Sequence, residues 1–112
     1  DEHTPALYND PDFSNKVLDF IRNEIGPENV HEIPAVMGGE DFGRFGRQEP
    51  KIPSFLFWLG GVSKDDWKRY QKGEITLASN HSPFFAPIPQ PTLSTGVSAI
   101  TSSAIGLLQN KK

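Results

Sequence analysis

Apolar residues recur at helical spacing in two stretches of the chain. Between positions 11 and 25, Phe13, Val17, Phe20, Ile21 and Ile25 fall on one face of a helix. Asp10 before Pro11 supplies an N-cap and a first-turn residue that loses nothing by lacking an N–H, and Gly26-Pro27 ends the run. The spacing therefore predicts an amphipathic helix over 11–25. A second stripe opens at Pro91, with Leu93, Val97, Ile100, Ala104, Leu107 and Leu108 as its core face. It frays at Asn110-Lys111-Lys112, where two lysines complement the negative end of the helix dipole.

The intervening segments carry other patterns. Residues 30–36 form a short, partly apolar run broken by Pro34, which suits a short strand at an edge. Residues 53–59, PSFLFWL, are almost continuously apolar, as expected of a central strand buried on both faces. Residues 63–73 predict a short surface helix, with Ser63 and Asp66 in capping-box spacing and Gly73 at its end. Prolines at 83, 87, 89 and 91 make 75–91 an extended, ordered loop, and 4–8 reads as a strand tail or linker. The order of helix, strand, short helix, strand, loop and helix predicts an α/β fold with a mixed sheet flanked by helices.

Composition narrows the picture. The chain has 112 residues, 36% hydrophobic, with 10 Gly and 10 Pro, so one turn-rich core is the limit of its size. Eleven basic against 14 acidic residues, a net charge of −3, argue against a nucleic-acid binder. No apolar run reaches the roughly 20 residues of a membrane span, and DEHTPALYND does not read as a signal peptide. The absence of Cys excludes disulfides and thiolate metal ligands. A strand buried on both faces needs covering layers that two long helices cannot supply, so the chain is expected to be part of something larger.

Three histidines are present. His3 near the N-terminus and His31 on the polar side of VHEIP are expected to be chemically idle. His81 stands in Ser79-Asn80-His81-Ser82-Pro83-Phe84-Phe85, a loop before the last helix, where the alternatives are a turn residue and a metal ligand. In Gly38-Gly39-Glu40-Asp41-Phe42 the glycines permit close approach of backbone to a ligand. Glu40 and Asp41 are either carboxylates at a helix start or the lining of a substrate pocket. No serine has a His–Asp pair at a recognisable spacing, and Gly38-Gly39 is not followed by the Gly-Lys-Ser/Thr of a phosphate loop.

Together these segments resemble the C-terminal part of the metal-dependent N-acyl-amino-acid amidohydrolases, which include hippurate and auxin-conjugate hydrolases and are related to aminoacylases and dinuclear zinc carboxypeptidases. The resemblance rests on Tyr8-Asn9-Asp10 with its helix, Val36 through Phe42, Phe55 through Gly61, His81-Ser82-Pro83-Phe84, and Pro91 through Gly96. It implies a zinc-peptidase-like catalytic domain, with residues 1–10 ending a crossover from a lid domain and 11–112 forming the C-terminal segment of the catalytic domain. It further implies two divalent metal ions, Zn or Mn, activating a water that attacks the amide of an N-acyl amino acid or peptide. His81 would be a metal ligand, and Gly38, Gly39, Glu40, Asp41 and Phe42 would bind substrate.

The general base, the remaining ligands in a Cys/Asp-Gly-His segment and a Glu-Glu pair, and a lid histidine have no counterpart in the chain, so no catalytic residue is assigned here. Asn80 replaces a common Leu, and residues 63–79 are longer than the minimal loop of the family. The implied partners are the rest of the same protein and a second copy through the lid, with no nucleic acid or membrane, in the cytoplasm. The chain alone is expected to be inactive. A dipeptidase or carboxypeptidase of the same clan, and a non-catalytic interaction or dimerisation module built on this fold, are the alternatives.

Overall fold

A computed structural model describes residues 3–109. Its regular elements are α1 (Pro11–Ile25), α2 (Lys64–Gln71) and α3 (Pro89–Gln109), with 3-10 turns at Pro27–Asn29 and Phe42–Arg47. About half of the chain is helical, and there is no strand among the described residues. The expected α/β fold with a mixed sheet is therefore wrong. The predicted fraying at 110–112 lies outside the described residues.

The two predicted strands failed for one physical reason: a strand needs another backbone beside it. Residues 31–40 are irregular and exposed throughout. Residues 53–59 are also outside regular secondary structure, and their partners are few. The Asp10 N–H donates to the Ser54 carbonyl at 2.9 Å. Asn9 then stands in for one residue of a strand, since its Nδ2 donates to the Leu56 carbonyl and its Oδ1 accepts from the Leu56 N–H, both at 2.8 Å. Ser54 is buried, Phe55 to Phe57 are half-buried, and Trp58 and Leu59 are exposed, so burial on both faces does not extend along the run.

The helices follow their local signals closely. Asp10 caps α1 by accepting from the Phe13 N–H at 2.9 Å, and Pro11 occupies the first turn. Gly26, at φ 88°, leaves the helix in a conformation that L side chains rarely adopt. The Asn29 side chain donates to the Ile25 carbonyl at 2.6 Å, satisfying one of the orphaned carbonyls. Ser63 caps α2 by accepting from the Asp66 N–H at 3.0 Å. At the other end the Gly73 N–H donates to Tyr70 O and the Glu74 N–H to Arg69 O, with Gly73 at φ 74°, a Schellman termination. Helix α3 starts at Pro89 rather than Pro91, because both prolines fit a first turn whose N–H groups have no intrahelical partner. Replacing Asp10 by Ala should cost about 1 kcal/mol by loss of the cap. Urea denaturation would read this as a lower midpoint with an unchanged slope.

The chain divides into two compact units. One comprises residues up to 57 together with 98 onward, and the other residues 58–97. The core of the first consists of Val17, Ile21 and Ala99, with Phe13, Ile25, Val30, Phe55, Phe57 and Leu107 packed against it. The α1 stripe is thus correct, whereas of the α3 stripe Leu107 packs against the core and Leu93, Val97, Ile100 and Leu108 are exposed. In the C-terminal half of α3, Ala99 is 1% exposed whereas Ile100 is 62% and Leu108 is 67% exposed. The small side chain at 99 joins Val17 and Ile21 of α1 in the buried cluster, and the larger residues at 100 and 108 face outward.

In the second unit, Gly60-Gly61 packs under the start of α3. A Cβ on Gly61 would meet the Pro87 side chain at 2.9 Å, and the Ile88 N–H donates to the Gly61 carbonyl at 2.9 Å. Thr92 Oγ1 donates to the Gly60 carbonyl at 3.2 Å, and Gly96 admits the Leu59 side chain. At Gly61 glycine is required by space and not by backbone conformation, whereas a Cβ on Gly60 would meet nothing within 4 Å.

Candidate functional site

The segment carrying the first candidates is built around a 3-10 helix with a triplet sequence. Phe42–Arg47 reads FGRFGR, and a 3-10 helix has three residues per turn, so each residue type occupies its own face. The phenylalanines meet on one face, Phe42 and Phe45 having ring centroids 5.4 Å apart and planes tilted by 54°. Gly43 and Gly46 form the second face. A Cβ on Gly43 would lie 3.0 Å from Leu7 Cα, and one on Gly46 would lie 2.9 Å from Ser54 Oγ. The arginines form the third: Arg44 Nη2 donates to the His3 carbonyl at 3.1 Å and Arg47 Nη2 to the Ala6 carbonyl at 3.2 Å. The N-terminal segment is thereby held in place by this turn, where the sequence suggested a strand tail or a linker.

This turn anchors the loop of Gly38, Gly39, Glu40, Asp41 and Phe42. Glu40 Oε1 accepts from the Phe42 N–H at 2.9 Å, and the Asp41 carbonyl accepts from the Arg44 N–H at 3.0 Å. Of the two readings of the carboxylates, the structure realises the helix-start role for Glu40. Asp41 makes no side-chain cap. Gly38 and Gly39 are exposed, with nothing within 4 Å of a Cβ and no positive φ, so neither close packing nor backbone strain demands glycine there. An open cleft of about 690 Å³ in the same unit is lined by Tyr8, Asp10, Lys16, Arg47 and Lys51 among others. None of residues 38–42 lines it.

His81 belongs to the second unit. Its turn is closed by Ser82: the Ser82 N–H donates to Ser79 O at 2.9 Å, the Ser82 carbonyl accepts from the Phe85 N–H at 3.0 Å, and Ser82 Oγ accepts from the Phe84 N–H at 3.1 Å. The backbone on either side of His81 is therefore fixed, while the imidazole itself is exposed. Among the described residues no group of three or more His, Cys, Asp or Glu is placed to hold a metal ion. A dinuclear centre does not fit these residues alone. His3 contributes its carbonyl to Arg44, and His31 is exposed.

Sequence reasoning missed Gly43, Gly46, Arg44 and Arg47, the residues that position the loop. The signal was present in the FGR-FGR repeat, whose period of three matches a 3-10 helix rather than an α-helix or strand.

No family model matches the chain, and no solved structure matches it. Two curated proteins do. The N-acetyldiaminopimelate deacetylase of Ligilactobacillus salivarius (strain UCC118) is 33% identical over 115 aligned positions that take in 100% of this chain and 24% of that protein. The N-acetyldiaminopimelate deacetylase of Lactococcus lactis subsp. cremoris (strain SK11) is 42% identical over 52 residues, 46% of this chain and 13% of that protein. The chain thus spans about a quarter or less of the length of these relatives. The similarity agrees with the resemblance to amidohydrolases at a coarse level. No helix among the described residues is long and apolar enough to cross a membrane.

Proposed function

We propose that this chain forms part of a metal-dependent amidohydrolase that removes an acyl group from the nitrogen of an amino acid. The observation that carries this reading is similarity along the whole chain to a deacetylase of an N-acetylated diamino acid. The chain contributes one metal ligand, His81, and the loop of Gly38, Gly39, Glu40, Asp41 and Phe42 contacts substrate. Two features support those roles. The imidazole of His81 is exposed on a turn whose backbone is tied by Ser82, which suits a ligand held ready at low entropic cost. The Gly38-Gly39 stretch is open enough for a substrate to lie directly against the backbone.

One imidazole cannot assemble a dinuclear centre, so the other ligands and the general base lie in polypeptide beyond these residues. In the completed site, bound metal supplies Lewis acidity and an activated water. The part played by this chain is to present the His81 imidazole and to orient the acyl-amino acid along residues 38–42.

A chimera tests this reading, with the full chain replacing the aligned stretch of the Ligilactobacillus deacetylase. The free chain should not hydrolyse N-acetyldiaminopimelate, and the chimera should. His81→Ala in the chimera should lower kcat/KM by at least about 100-fold, with a matching loss of bound metal by elemental analysis, as removing a ligand costs no less than disturbing its outer shell. A His81→Ala chimera with unchanged turnover and metal content would reduce His81 to a turn residue. Hydrolysis by the free chain would show that the activity needs nothing further.

A further inference from the structure

The open cleft of the first unit gathers three cations that are far apart in sequence. Lys16 comes from α1, Arg47 from the end of the 3-10 turn and Lys51 from the loop beyond it. The chain as a whole carries a net charge of −3. Among the described residues the basic members of ion pairs are Arg22, Arg69 and Lys72, so none of the three cleft cations has a carboxylate partner. The two carboxylates that line the cleft, Asp10 and Asp12, belong to the start of α1. Asp10 accepts from the Phe13 N–H, and Asp12 stands in the first turn, where the helix dipole favours negative charge.

Tertiary contacts hold the walls of the cleft together. Arg47 Nη2 donates to the Ala6 carbonyl at 3.2 Å, and the Asp10 N–H donates to the Ser54 carbonyl at 2.9 Å. Gly46 lies so near Ser54 that a Cβ on it would be 2.9 Å from the hydroxyl oxygen. The guanidinium is thereby fixed at the wall by one of its N–H groups, and its other donors are free to form a fork on an oxyanion. Tyr8, Phe13, Ile52 and Pro53 make the rest of the lining largely apolar. The cleft measures about 690 Å³, within the range of roughly 300–1,000 Å³ typical of small-molecule sites. Three cations confined to one cleft of an acidic chain are not the extended basic stripe that tracks a nucleic acid.

We propose that this cleft binds a small organic dianion, an apolar ring bearing a phosphate or a pair of carboxylates. Lys16, Arg47 and Lys51 hold the oxyanions, and the ring lies among Tyr8, Phe13 and Pro53. The site is separate from both His81 and the loop of residues 38–42, and it does not depend on the hydrolase reading.

Titration of the full chain with phthalate, phenyl phosphate and inorganic phosphate, followed by calorimetry and by amide chemical shifts, tests the proposal. At least one of the two ring-bearing dianions should bind with a Kd of about 1 mM or below, and the tighter of them identifies the head group. The shifts should centre on Tyr8, Gly46 and Ser54. Lys51→Met and Lys16→Met should each weaken binding about tenfold by removing a charged donor. Both side chains are exposed and make no hydrogen bond among the described residues, so these variants should keep the far-ultraviolet circular dichroism of the parent. Lys68→Met, on α2 in the second unit, makes the same change of net charge and should leave binding unaltered.

Absence of saturable binding by both ring-bearing dianions overturns the proposal, as do shifts centred on the turn of His81. Inorganic phosphate binding as tightly as phenyl phosphate overturns it too, because the apolar wall would then contribute nothing. So does an equal loss of affinity in Lys68→Met and Lys51→Met, which would make the attraction one of overall charge. The chimera with the Ligilactobacillus deacetylase is titrated in the same way and should bind the same dianion. Loss of binding there overturns the proposal, since other polypeptide of the enzyme would then fill the cleft. A chimera that binds the dianion but does not deacetylate counts against the proposed function alone.

Discussion

Asn9→Ala is expected to destabilise the first unit by about 2 kcal/mol. The Asn9 amide bonds both the N–H and the C=O of Leu56 at 2.8 Å, joining positions 47 residues apart in sequence. Alanine would leave both backbone groups without a protein partner in a half-buried segment. An unsatisfied group costs about 1–3 kcal/mol when fully buried, and partial access to water lowers that figure. The neighbouring bond from the Asp10 N–H to Ser54 O and the packing of Phe55 on the core would then hold residues 54–56.

Asn9→Asp separates the two halves of the interaction. It keeps an acceptor for the Leu56 N–H but places a negative oxygen against the Leu56 carbonyl, so it should be no more stable than Asn9→Ala near neutral pH. Urea denaturation of both variants, followed by far-ultraviolet circular dichroism, checks this. An Asn9→Ala midpoint equal to that of the parent would mean that the two bonds contribute nothing net.

The second large effect lies on α3, and it reverses the order that periodicity predicts. Ala99→Leu should destabilise by about 2 kcal/mol or more, because a larger side chain must be forced into a packed contact. Ala99 is 1% exposed, and its carbonyl also accepts from Ser102 Oγ at 3.1 Å and Ser103 Oγ at 2.6 Å, so the backbone there has little freedom to retreat. Ile100→Ala, one position along, should change the stability of the free chain by less than about 0.5 kcal/mol, as for an ordinary surface site. Thermal melts of the two variants would decide between the stripes. If Ile100→Ala is the more damaging substitution, the stripe of large residues faces the core after all.

These two cases show where sequence reasoning stopped. Helix ends were legible because their causes are local. Asp10-Pro11, Ser63 with Asp66, and Gly73 act within one turn of chain, and each took the role its position suggested. The start of α3 shifted by two residues because two prolines can each occupy a first turn, and nothing local chooses between them. The strands were not legible. An extended apolar run such as 53–59 states that it must be buried but not by what, and its Leu56 carbonyl was met by a side-chain amide from residue 9.

The candidate site divides along the same line. Glu40 could be recognised as a helix-start carboxylate from its neighbours, and its hydrogen bond to the Phe42 N–H is local. The anchoring of that loop by Arg44 and Arg47 depends on carbonyls about 41 positions away, which no local pattern names. The FGR repeat would have placed the arginines on one face of a 3-10 turn, but not against residues 3 and 6.

The sequence by itself determined three helices, the caps that bound them, the turn-rich character of the remainder and a resemblance to amidohydrolases with which two deacetylases agree. Only the tertiary structure decided which face of α3 is buried, whether residues 53–59 pair with a strand, and what holds the loop at 38–42. The physical reason is range. Capping and turn formation are settled within a few residues, whereas burial depends on which distant surface arrives. At α3 that surface was α1 meeting the small residue Ala99, which left Ile100, Ile105 and Leu108 facing outward.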